Sequence, residues 1–141
     1  MGFRLKVEGP GVIELNKESI QTVKLKTDLP IDSNARTKDL GSTMTITGKI
    51  LTAVDGEPFD STRQLGLWSL VPAEKADCYR KVTLDVISAD QIVRSINYPN
   101  AFVVDYKESF GDEEGVGTFE LIIRQKKDKL ANVTIEGGYG V

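Results

Sequence analysis

The chain has 141 residues, 40% of them hydrophobic and 28% charged, which is ordinary globular usage, and at this length one domain buries roughly two-thirds of its unfolded surface. Its formal charge of −3 and pI near 5.1 argue against an extended nucleic-acid surface, which depends on a clustered excess of Lys and Arg, and no nucleic-acid partner is expected. Histidine is absent and Cys78 is the only cysteine, which removes imidazole acid–base chemistry, a Ser-His-Asp triad, a structural zinc site and an internal disulfide.

Along the chain the dominant signal is period-two alternation, which places every second side chain on one face of a strand. Phe3, Leu5 and Val7 alternate with Arg4 and Lys6 in a first strand, and a weaker one is predicted at Ser19 to Thr27. The stretch from Asp28 to Gly41, DLPIDSNARTKDLG, reads as a loop; loops of about a dozen residues are usually functional or used in contacts. Met44, Ile46 and Ile50 then share a face with Gly48, while Thr43, Thr45, Thr47 and Lys49 take the other.

Between Leu51 and Tyr79 the period changes. Asp60 or Ser61 can cap a helix, Ser61 and Gln64 have capping-box spacing, and Leu65, Trp68 and Val71 recur at three-residue intervals. One helix is predicted near residues 61 to 77, with Pro72 a point at which it can break, and Trp68 is expected in the core. Val82, Leu84 and Val86 mark the next strand, Ala89 and Asp90 its hairpin turn, and further strands are predicted at Gln91 to Asn97 and Ala101 to Ser109. Phe102, Val104 and Tyr106 are expected on one face of the latter.

An acidic run, Asp112 to Glu114, follows among Gly111, Gly115 and Gly117. It lacks the alternating oxygen-ligand spacing of a calcium loop and reads as a solvated turn. Phe119, Leu121 and Ile123 are then expected in the core, RQKKDK (residues 124 to 129) reads as a solvated edge that could otherwise touch an acidic partner or phosphate, and a last short strand is predicted at Val133 to Glu136.

One-sided strands of this kind belong to antiparallel sheets. The expected fold is mainly β, an antiparallel split β-barrel or sandwich with one α-helix packed against it, in a single domain spanning residues 1–141. No nucleotide fingerprint, cofactor motif or catalytic grouping stands out, so no enzyme activity and no cofactor are expected. MGFRLKVEGPG lacks an apolar leader and no stretch reaches the length of a membrane span, so membrane insertion is not expected and synthesis in the cytoplasm is.

The stretch INYPNAFVVDYKESFGDEEGVGTFELIIRQK, Ile96 to Lys126, resembles the C-terminal signature of haemolysin-coregulated proteins (Hcp), the tube subunits of type VI secretion, and of related tail-tube proteins of contractile injection systems. Tyr98, Asn100, Ala101, Phe102, Val103, Tyr106, Glu108 and Phe110 carry the likeness. The segment WSLVPAEKADCYRKV, Trp68 to Val82, is similar to small clostridial proteins, some of them called membrane-associated proteases, although its residues supply no such activity.

The resemblance implies a ring-forming homo-oligomer, hexameric in the family, with sheath, spike or effector proteins as further partners and export as part of an injection apparatus. It also implies a ring-stacking role for the long loop, through Asp28, Ile31, Asp32, Asn34, Arg36 and Lys38. Two other classes compete with the tube subunit: a small β-barrel that binds a ligand or carbohydrate on its polar face, and a carboxylate-based hydrolase.

Overall fold

The computed structural model describes residues 1–28, 41–50, 61–112 and 117–137. Eight strands form one antiparallel sheet: β1 (Gly2–Glu8), β2 (Val12–Leu15), β3 (Ile20–Asp28), β4 (Gly41–Ile50), β5 (Arg80–Ser88), β6 (Gln91–Ser109), β7 (Gly117–Gln125) and β8 (Thr134–Gly137). Their order is β2-β1-β5-β6-β7-β4-β3, and β8 pairs separately with β6. β1 and β3 are five positions apart in that order yet pack against each other, so the sheet curls back on itself. A helix, α1 (Ser61–Ser69), packs on β6 and β2.

The alternation in the sequence is realised on the concave side. Leu5, Val7, Met44, Ile46, Val82, Leu84, Ile96, Tyr98, Phe119, Leu121 and Ile123 all enter one buried cluster, joined from the helix by Leu65 and Trp68. Gly48 is the small residue that lets this wall close. A Cβ there would meet the Ser19 carbonyl at 2.0 Å and the Phe119 ring at 2.7 Å. The ring of its cross-strand partner Phe119 thus covers a strand glycine, a known use of glycine where another backbone approaches closely.

Three expectations need correction. First, β2 is a separate strand in a region assigned none; it has only four residues, too few for alternation to stand out, although Ile13 and Leu15 are buried. Second, the helix ends at Ser69 rather than near residue 77. Leu70 and Val71 donate to the Leu67 and Trp68 carbonyls in tightened closing turns, and between Pro72 and β5 only the 3-10 turn Ala76–Cys78 is helical.

Third, the two strands predicted on either side of Pro99 are one, β6, of 19 residues. Fully straight it would measure about 60 Å, more than the roughly 40 Å across of a compact chain this size, so it has to bend. Register shifts against β5 lie opposite Arg80/Val82 and Val86/Ile87, and one against β7 lies between Val103 and Asp105. Pro99, which has no N–H to donate, falls in the first of these, the place in a sheet where proline is tolerated.

The shift between Val103 and Asp105 also overturns the expected face of Phe102, Val104 and Tyr106. An extra residue reverses the parity: Val103 and Tyr106 pack against the core, while Val104 is 44% exposed and Phe102 turns outward to meet the Tyr79 ring edge-on at 6.0 Å.

Candidate assembly surface

The convex side of the sheet is built from the alternate residues of the same strands. Across β3, β4, β7 and β6 the register aligns three rows: Lys26, Thr43, Arg124 and Phe102; Lys24, Thr45, Ile122 and Asp105; Thr22, Thr47, Glu120 and Lys107. Thr22 and Thr47 share a hydroxyl–hydroxyl hydrogen bond, and Lys107 Nζ lies 3.5 Å from Asp105 Oδ2. On the other wing Arg4 Nη2 donates to Asp85 Oδ2 at 2.9 Å, and Ser95 donates to Asp85 Oδ1 at 2.7 Å. This face is polar, cross-linked and of mixed charge.

Of the six residues assigned to ring stacking, Asp28 alone lies within the described residues; Ile31, Asp32, Asn34, Arg36 and Lys38 lie outside them. Its carboxylate accepts from Thr43 Oγ1 at 2.5 Å, with Arg124 Nε 3.7 Å and Lys26 Nζ 3.9 Å away. Asp28 therefore anchors the base of the loop, clamping the end of β3 to β4 and β7.

The signature strand divides into two jobs. Ala101 is fully buried, and Val103 packs on the core. Asn100 lies in the bulge after Pro99, where its N–H donates to the Gln125 side-chain oxygen at 3.1 Å and its carbonyl accepts from the Lys126 N–H at 2.9 Å. Tyr106 stacks on Phe119 at 6.5 Å, and its hydroxyl reaches Glu108 Oε1 at 2.6 Å and faces the Thr62 carbonyl of α1 at 3.2 Å. Phe110, 70% exposed, rests over Gly117, where a Cβ would clash with its ring at 2.7 Å.

Trp68 is 2% exposed; its indole N–H donates to the Cys78 carbonyl at 2.9 Å, and the Arg80 guanidinium lies 5.4 Å above its ring. These contacts tie α1 to the start of β5. Burial pushes the Cys78 thiol up, against the opposing effect of Arg80. Phe119, Leu121 and Ile123 are buried at 3%, 0% and 0% exposure.

Sequence reasoning missed the burial of Gln125 and of Tyr98. Gln125 is completely buried, although it lies in the run RQKKDK read as a solvated edge. The signal was available, because it continues the inward parity of residues 119, 121 and 123. Tyr98 is buried too, with its hydroxyl 2.5 Å from Ser42 Oγ, and its pKa is pushed up to about 12, mainly by burial, with Asp28 adding to the effect and the Ser42 hydrogen bond opposing it.

Asp112 is exposed at the end of the β6 side of the hairpin, and Glu113 and Glu114 lie outside the described residues. Among the described residues no group of three or more His, Cys, Asp or Glu side chains could hold a metal ion, and no helix is long and apolar enough to cross a membrane.

No protein-family model and no curated protein matches the sequence. The backbone does find counterparts. Hcp1 from Flavobacterium johnsoniae superposes with a TM-score of 0.62 over 98% of this chain and 97% of that one, at 17% identity. The chain has an Hcp-like fold. Hcp1 from E. coli, in a mutant form, gives a TM-score of 0.57 at 11% identity, covering 99% of this chain and 100% of that one. A chain of the sheath–tube complex of an extracellular contractile injection system, in its extended state, gives 0.53 at 12% identity, covering 97% and 89%. The likeness runs over nearly the full length of both partners rather than over a common fragment.

Proposed function

We propose that this chain is a structural subunit of a tube, forming hexameric rings that stack in a type VI-like secretion or contractile injection apparatus. The observation that carries this reading is the end-to-end likeness to Hcp1. One feature of the surface supports it. The convex face is largely polar, with threonines and charged side chains around Ile122 and Phe102, suited to lining a water-filled channel.

In this reading the role is assembly and passage rather than bond chemistry. Sheath, spike or effector proteins are its further partners, and residues 29–40 contribute to ring stacking from their base at Asp28. Native mass spectrometry combined with negative-stain electron microscopy tests the proposal: closed rings of six and stacks of them are expected. A protein that stays monomeric at high concentration would sink it.

A further inference from the structure

The sheet has three open edges. β2 and β3 end the main strand order, and β8 ends the branch that pairs with the first half of β6; among the described residues no strand pairs with the outer side of any of them. β3 also packs on β1 where the sheet curls back, without pairing with it. An edge strand turns alternate backbone N–H and C=O groups outward, which makes it a template for adding another strand.

The three edges differ on both faces of the sheet. On the core side β2 needs no cover, because Ile13 and Leu15 are already buried. β8 and β3 do need it. Ile135 stands opposite buried Ile96 and is nevertheless 53% exposed, and Leu25 stands opposite fully buried Met44 and is 36% exposed. In both places the apolar layer runs on past the last strand. On the polar side, β3 carries Lys24 and Lys26 beside Thr45 and Thr43, β8 carries Thr134 and Glu136 beside Asn97 and Ser95, and β2 carries Glu14 beside Lys6. Neither Lys24 nor Glu136 has an ion pair among the described residues.

We propose that β8 of one copy adds to the open edge of β3 in a second copy, with Ile135 beside Leu25. In that register Glu136 falls beside Lys24 if the strands run antiparallel and beside Lys26 if they run parallel, so either direction joins the apolar layers on one face and opposite charges on the other. The other pairings satisfy less. Two β3 edges set lysine against lysine, and β8 against β8 or β2 brings no cation to Glu136. β2 against β3 matches charge through Glu14 but leaves Ile135 uncovered. Lysines on an edge discourage indiscriminate strand addition, and here they select an acidic strand. Each copy carries one β3 edge and one β8 edge, two different surfaces, so the contact is heterologous and can repeat around a closed ring. The inference rests on the tube reading and names the joint between neighbours within a ring.

Charge reversal and cross-linking test it on the full chain, with circular dichroism confirming that each variant folds. Glu136→Lys, and separately Lys24→Glu with Lys26→Glu, should each raise the concentration at which rings form by about tenfold in light scattering and negative-stain microscopy, the scale of an opposite-charge pair turned into a like-charge one. The chain carrying all three changes should assemble like the wild type, because the pair is restored with its signs exchanged. Leu25→Cys with Ile135→Cys, in a Cys78→Ser background, should give covalent ladders between copies under mild oxidation. Charge variants that form rings as readily as the wild type, a triple variant that fails to recover, or rings that give no ladder through positions 25 and 135 overturn this contact while leaving the tube reading standing. Ladders obtained instead from Lys24→Cys with Glu14→Cys would assign the joint to β2 and overturn it as well. A wild-type chain that never forms rings overturns both.

Discussion

Tyr98 has no exposed surface, and the Ser42 hydroxyl is its hydrogen-bond partner inside the core. Below about pH 10 the phenol is protonated in both the native and the unfolded chain, so it adds no pH dependence there. Between about pH 10 and the native value of about 12, only the unfolded chain ionises, and stability falls. Across that window Tyr98 should cost about 2 to 3 kcal/mol, read as the fall in urea-unfolding free energy from about pH 9 to 12, and Tyr98→Phe should remove that part of the slope. A variant that loses stability with pH as steeply as the wild type would show that other groups govern the alkaline limb. Gln125 poses the opposite problem, a neutral amide buried for what it holds. Gln125→Leu keeps the volume but strips the acceptor from the Asn100 N–H, and should cost about 1 to 3 kcal/mol in the urea midpoint with an unchanged slope.

Among the elements, the β5–β6 hairpin turn was placed correctly at Ala89 and Asp90, without the residues such a turn prefers. Both have positive φ, 52° and 63°, the pair that defines a type I′ turn and matches the twist of the flanking strands. A Cβ makes this region unfavourable, at about 1 kcal/mol or more per residue for most side chains. Ala89→Asn with Asp90→Gly should therefore stabilise the chain by about 1 kcal/mol, seen as a rise of about 3 °C in Tm. An unchanged or lowered Tm would mean that Ala89 or Asp90 makes a compensating contact. β6 shows where element-level reading fails: alternation gives the face of each half-strand, but a single inserted residue at Val104 reverses it, and nothing in the composition of FVVDY marks which residue is the extra one.

At the scale of the molecule, the curled sheet and α1 close over one cluster, and Phe119 stands at their junction. Its ring lies over Gly48 and stacks on Tyr106, whose hydroxyl in turn faces the first turn of the helix. Phe119→Ala should cost about 3 to 5 kcal/mol, because a ring-sized cavity opens against a wall whose glycine cannot collapse into it. Differential scanning calorimetry should show the loss in one cooperative transition; a second, earlier transition for the helix would mean that the cluster is not continuous.

The strands other than β2, most of their inward residues and a helix around Trp68 were legible in the sequence, because a period of two or of three to four is a local property of side-chain direction. So was the restriction on chemistry, which follows from having no histidine and one cysteine. The joining of two predicted strands into β6, the parity reversal within it and the clamp of Asp28 on Thr43 and Arg124 came only from the tertiary structure. Each depends on which strands become neighbours and in what register, and those pairings join residues as far apart as Arg4 and Asp85 or Thr43 and Arg124, a distance along the chain that no local pattern encodes.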